Sequence, residues 1–149
     1  MTKFLMAAVL VVFSSVAVAQ TAPKVKPSVT YDATILRATD GDTVVVAAPF
    51  LPAPLKKELA VRIFGVDTPE KGHRAQCPAE NEKGLAASKF TKDMIDAASK
   101  KQYSLIEWDK FGGRVLGDII LDGKSLRAEL IKNGYAREYY GEAKQSWCK

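Results

Sequence analysis

At Pro78 the hydrophobic pattern of this chain changes period. Before it lie three runs rich in β-branched and aromatic residues, VTYDATILRATD, DTVVVAA and LAVRIFGV. Each has the length and composition of a strand. After it, PAENEKGLAASKFTKDMIDAASK sets Ala87, Phe90, Met94 and Ala97 or Ala98 three and four residues apart. That spacing is one face of a helix, with Lys and Asp on the solvated side. YSLIEW and RVLGDIIL then read as two further strands, and Ser125 has the place of an N-cap for LRAELIKN, with Gly134 as its stop. Asp40-Gly41 and Asp122-Gly123 are turn signals, because glycine accepts the positive φ a tight turn demands. The three prolines of PFLPAPLKKE make that connection a loop.

Three strands, a helix, two strands and a helix do not alternate in the way that builds a parallel sheet. The order predicts an α+β domain, mainly a β barrel: a small antiparallel, five-stranded OB-fold barrel with two or three helices. Such barrels carry many functions, so the fold alone says little about chemistry. The 149 residues suffice for one core that buries roughly two-thirds of the unfolded surface. MTKFLMAAVLVVFSSVAVAQ combines Lys3, an apolar run of roughly fifteen residues and the small-x-small pattern Ala17-Val18-Ala19. It predicts a signal peptide over residues 1–19, cut after Ala19; the run falls short of the ~20 apolar residues of a spanning helix. TAPKVKPS, polar with two prolines, predicts a disordered lead-in over residues 20–28, leaving one domain over residues 29–149. The expected location is therefore secreted or periplasmic, with no stable membrane association once the leader is gone.

Compartment decides how the two cysteines read. Outside the cytoplasm, Cys77 and Cys148 are expected to form a disulfide, worth about 4 kcal/mol in the loop-entropy picture. Two thiols without neighbouring ligands make a poor zinc site, and the lone His73 has no second ligand near it in sequence. The formal charge is +5 with a pI near 9.2, and the basic balance favours a polyanionic partner such as nucleic acid.

Three segments carry the candidate chemistry: TDGDTV with Asp40, Asp42 and Thr43; VRIFGVDTPE with Arg62, Asp67, Thr68 and Glu70; and WDKFGGRVLG with Asp109 and Arg114. Singly, each has an ordinary reading as a hairpin turn, a turn initiator before proline, or a solvated strand arginine. Together they fit one reaction. Asp42 and Asp67 sit at strand ends, where a closed barrel brings both carboxylates to one rim. Clustered carboxylates repel unless a cation lies between them, and an all-oxygen set including the Thr68 carbonyl suits Ca²⁺ or Mg²⁺ better than zinc. Pro69 stops the strand so that its end presents oxygens. Arg62 and Arg114 match phosphate oxygens through paired N–H donors, and Glu70 is placed to orient or deprotonate water. One difficulty is geometric: Arg62 and Asp67, five residues apart, fall on opposite faces of a regular strand, so a bulge near Gly65 or a curl of the strand is expected.

DGDT, RIFGVDTPE and DKFGGR resemble the signature segments of the staphylococcal nuclease (thermonuclease) family, and the similarity runs over about residues 29–140. The resemblance implies a five-stranded barrel with Ca²⁺-dependent cleavage of DNA and RNA phosphodiesters by direct water attack, leaving 3′-phosphate ends. It matches Asp42, Asp67 and Thr68 to the metal ligands, Glu70 to the general base, and Arg62 and Arg114 to the phosphate-binding pair. Lys110, Tyr139 and Tyr140 are candidate substrate contacts, with core packing the alternative for the tyrosines. Two departures stand out: Phe111 replaces the family's tyrosine, and Gly113 delays the arginine by one position. Arg114 then reaches the site only if the glycines absorb the extra residue. Near the C-terminus, Trp147 and a Cys77–Cys148 bridge are expected to close the barrel end. The competing class is a non-catalytic OB-fold module that holds single-stranded nucleic acid by a basic groove and stacked aromatics. A structural calcium-binding protein is the third, and it leaves Arg62 and Arg114 without a purpose. A monomer is expected.

Overall fold

Barrel closure depends on a single break in the first strand-like run. A computed structural model describes residues 29–148; the expected leader over 1–19, its cut after Ala19 and the lead-in over 20–28 lie outside the described residues. β1 (Thr30–Asp32) and β2 (Ile35–Asp40) are halves of VTYDATILRATD, separated at Ala33-Thr34. The break switches partners, since the Ala33 N–H donates to the Lys101 carbonyl at 2.8 Å while the Thr34 carbonyl accepts from the Ala47 N–H at 2.8 Å. With β3 (Thr43–Ala47), β4 (Glu58–Ile63), β6 (Lys101–Trp108) and β7 (Arg114–Leu121), the sheet runs β1-β6-β7-β4-β3-β2. Its two edges are parts of one strand, so the sheet closes on itself as the expected five-stranded barrel. It is not wholly antiparallel. β4 and β7 pair in parallel, which the long crossover through helix α1 (Pro78–Ala97) and β6 makes possible.

The core follows from alternation. Val115, Ile119 and Leu121 point inward from β7, and Leu59, Val61 and Ile63 from β4; Val44 and Val46 of β3 join them. Helix α2 (Leu126–Lys132) adds Leu126 and Leu130, and its N-cap is the expected one: the Ser125 hydroxyl accepts the Ala128 N–H at 3.1 Å. Three short pieces escaped the sequence reading. β5 (Val66–Asp67) pairs with β9 (Arg137–Glu138), and β8 (Lys124–Ser125) pairs with β7.

The buried face of α1 is not centred where the apolar spacing predicts. Its buried residues are Glu80, Gly84, Ala87, Thr91 and Ile95. Phe90, stacked on Tyr135 at 4.5 Å, and Met94 lie beside that stripe and are only partly buried, while Ala98 rather than Ala97 is buried. Polar groups and a glycine occupy the middle of the stripe because α1 packs on loop backbone there.

Under α2, Asp118 of β7 accepts the Ser125 hydroxyl at 2.5 Å and the backbone N–H groups of Ile119 at 2.8 Å and Arg127 at 3.2 Å. Burial raises this carboxyl above its ordinary value, against the opposing pull of those donors. The folded protein then holds the proton more tightly than the unfolded chain. The stability this group contributes is complete below the ordinary carboxylate value and is lost as pH rises through the raised folded value. Asp118→Asn cannot ionise, so the urea midpoint of the variant relative to wild type should climb as pH rises from the ordinary carboxylate range through the raised folded value. Parallel midpoint curves would exclude Asp118 as a source of the pH dependence.

Candidate active site

The β2–β3 turn, the end of β4, the loop after β5, the β6–β7 hairpin and the segment after β9 converge on a cavity of about 400 Å³. Asp42, Arg62, Thr68, Glu70, Lys110, Arg114 and Tyr139 all line it. Register explains the first pair. Thr43 lies opposite Arg62 in the β3–β4 ladder, and the Asp42 carbonyl accepts the Ile63 N–H at 2.8 Å. The Arg62 guanidinium therefore meets the Asp42 carboxylate at 2.8 Å, and the Thr43 hydroxyl donates to its other oxygen at 3.0 Å.

Asp67 does not face this cavity. Beyond Ile63 the chain leaves β4, turns through Phe64 and Gly65, where φ is +74°, and restarts as β5 with Asp67 opposite Arg137. The turn removes the strict alternation that set Arg62 against Asp67, but it aims Asp67 into a neighbouring cavity of about 260 Å³. Thr68, Glu70 and Lys144 line both cavities. The expected single rim carrying both carboxylates is thus two adjoining cavities that share the Thr68–Glu70 loop.

Arg114 reaches the larger cavity despite the extra glycine. The loop from Lys110 to Gly113 is closed by the Asp109 N–H donating to the Arg114 carbonyl at 3.0 Å, and Gly113 takes φ +77°, which absorbs the added residue in the turn. The guanidinium is steadied by the Asp109 carboxylate at 2.5 Å and lies over the Phe111 ring at 4.7 Å. Phe111 lacks a hydroxyl for a phosphate but gives Arg114 a face to rest on. Tyr140 turns away from the cavity. Its ring packs edge-on against Phe64 at 5.9 Å, and its hydroxyl accepts from Arg127 at 2.6 Å.

The polar stripe on α1 holds both acidic loops. The Thr91 hydroxyl donates to the Gly41 carbonyl at 2.7 Å, one residue before Asp42. The buried Glu80 carboxylate accepts the N–H of Glu70 at 3.3 Å and of Gln76 at 2.8 Å. Gly84 lies directly beneath the same loop, where a Cβ would stand 2.3 Å from the Glu70 carbonyl oxygen. Any larger side chain would push Glu70 off its perch.

The sequence reading missed Lys71, Arg74, Lys144 and the site role of Trp147. Arg74 reaches Asp40 at 2.9 Å and Glu70 at 3.2 Å, and the Asp40 carboxylate holds its guanidinium above the usual value. Lys71 donates to the Thr39 carbonyl at 2.7 Å. The tail takes both oxygens of Asp67, with the Lys144 ammonium at 2.6 Å on one and the Trp147 indole N–H at 3.0 Å on the other. The Cys77–Cys148 disulfide ties that tail to the start of α1. Only the Glu70–Arg74 spacing of four carried any signal in the sequence.

The donors available to a metal ion are oxygens. Asp42 and Asp67 are 4% and 5% exposed, with Thr68 beside them, a set that suits a hard cation such as Ca²⁺ or Mg²⁺. Both carboxylates are paired with cations of the chain itself, and among the described residues no group of three or more His, Cys, Asp or Glu is arranged to hold a metal.

Residues 60–147 match the family model described as staphylococcal nuclease homologue. The chain belongs to that family. The matched stretch takes in Arg62, Asp67 to Glu70, Arg114 and the tail, and the tertiary structure brings the upstream Asp40–Asp42 turn to it. Three of its curated relatives come from Bacillus subtilis (strain 168): endonuclease YncB is 34% identical over 72% of this chain, and the SPbeta prophage-derived endonuclease YokF 32% over 73%. Endonuclease YhcR is 30% identical over 74% of the chain. The chain spans 47% of YncB, 34% of YokF and 9% of YhcR.

Proposed function

We propose that this chain is a secreted or periplasmic, calcium-dependent endonuclease that hydrolyses phosphodiester bonds of DNA and RNA, with nucleic acid as substrate and the monomer as working unit. The carrying observation is that Asp42, Arg62, Glu70 and Arg114, contributed by three separate segments, line one cavity. The relatives' names as endonucleases support the same reading, and the disulfide suits an oxidising compartment.

In this reading Glu70, half-exposed with the Arg74 guanidinium 3.2 Å away, takes a proton from the attacking water. The hydroxide oxygen bonds to phosphorus, and the bond from phosphorus to the 5′ oxygen breaks; the departing 5′ oxygen takes up a proton from solvent water, giving a 3′-phosphate and a 5′-hydroxyl. Arg62 and Arg114 meet the growing negative charge with fixed N–H donors. Their partners Asp42 and Asp109 hold them in place before substrate arrives. Asp42, Asp67 and the Thr68 carbonyl would hold the cation, whose charge polarises the phosphoryl oxygen; Mg²⁺ is the alternative ion.

The test is plasmid DNA and a single-stranded RNA incubated with the purified protein in Ca²⁺, in Mg²⁺ and in EDTA. Shortened products in Ca²⁺, abolished reversibly by EDTA, are expected. Retarded but intact nucleic acid in every condition would select the non-catalytic binding module, and cleavage indifferent to EDTA would remove the metal from the reaction.

A further inference from the structure

Lys144 stands between the two cavities. Among the described residues lining the larger cavity, only Thr68, Glu70 and Lys144 also line the smaller one, and Lys144 is the only cation of the three. Its ammonium sits 2.6 Å from Asp67, whose side chain is 7% exposed, while the lysine itself is 48% exposed. The two tail groups on Asp67 are held very differently. Trp147 is fixed: Arg137 lies over its ring at 3.7 Å, its carbonyl accepts from Lys83 at 2.9 Å, and the next residue is disulfide-bonded. Lys144 rests on Asp67 and near the face of Tyr139, at 5.6 Å, and Tyr139 itself lines the larger cavity. A half-exposed lysine with a flexible four-carbon stem can exchange a carboxylate for another anion within reach, whereas the indole cannot follow.

A nearly buried carboxylate does not stay uncompensated. Asp67 therefore keeps Lys144 until another positive charge replaces it, and the ammonium released has a path into the larger cavity.

We propose that Lys144 is a phosphate ligand held in reserve: it neutralises Asp67 in the resting protein and moves to a phosphate of the nucleic-acid substrate when a divalent cation is bound at Asp67. This rests on the nuclease reading above. Lys144 thereby couples the two sites with opposite signs, opposing the cation at Asp67 and favouring the polyanion beside it.

Calorimetric titration with Ca²⁺, and anisotropy of a short fluorescent oligonucleotide in saturating Ca²⁺, test this on the full chain carrying Glu70→Gln so that the probe stays intact. Lys144→Gln should bind Ca²⁺ roughly 5-fold or more tightly, the lower end of couplings between sites. The same variant should bind the oligonucleotide more weakly, with the slope of log affinity against log salt reduced by about 1. Lys144→Arg should restore the slope. Unchanged Ca²⁺ affinity in Lys144→Gln overturns the proposal while leaving the nuclease reading intact, and so does an unchanged salt slope. Absence of Ca²⁺ binding in both proteins overturns the calcium reading and this proposal with it.

Discussion

Glu70→Gln is expected to lose about 10²–10⁴-fold in turnover while its affinity for nucleic acid stays near wild type. The substitution keeps shape and removes the negative charge, and with it the capacity to accept a proton. Arg62 and Arg114 remain to hold phosphate, and Arg74 keeps its contact with Asp40 at 2.9 Å when it loses Glu70. The fold should be indifferent, because the Glu70 side chain is 40% exposed, whereas its backbone N–H, fixed by Glu80, is untouched. Single-turnover cleavage beside anisotropy in the presence of Ca²⁺ separates the two quantities. Full activity would remove Glu70 from the chemistry; equal losses in binding and turnover would make it a substrate contact.

Replacing both cysteines with serine should reduce stability by about 4 kcal/mol, the loop-entropy value for a closed loop of the 71-residue separation between Cys77 and Cys148. Serine is the appropriate choice at residue 77. The Cys77 sulfur accepts the Glu80 N–H at 3.4 Å as the N-cap of α1, and a serine hydroxyl caps equally well, so the change isolates the cross-link. Urea unfolding of wild type and the double variant measures the difference. A loss under about 1 kcal/mol would mean that the unfolded chain is already restricted by residual structure without the cross-link, contrary to the loop-entropy account.

Much of the fold was legible because it rests on local periodicity. The alternation in LAVRIFGV and RVLGDIIL, the Ser125 cap and the Pro78 start of α1 all became the elements their spacing implies. The buried face of α1 was misread for a physical reason. Apolar spacing finds the stripe that packs on side chains, but the centre of this helix packs on the Gly41 and Glu70 backbone, where Thr91, Gly84 and Glu80 serve better than leucine. The pieces of one or two hydrogen-bonded pairs, β5, β8 and β9, are too short to leave a periodic signal.

The candidate site divides the same way. Residue types near one another in sequence, DGDT, RIFGVDTPE and DKFGGR, announced the oxygens and guanidinium groups, because such chemistry needs those types whatever the fold. Which of them share a cavity depended on a turn at Gly65 and a glycine at 113, both flagged by the glycines themselves, and on a partner switch at Ala33-Thr34, a backbone event with no pattern of its own. The placing of Lys144 and Trp147 on Asp67, about eighty residues away in the chain, depended on the disulfide and the β5–β9 pair. Local sequence decides which groups a chain can offer, since propensity and alternation act over a few residues. Only closure of the barrel decides which of those groups meet, since contact between distant segments is set by packing that no short window of sequence contains.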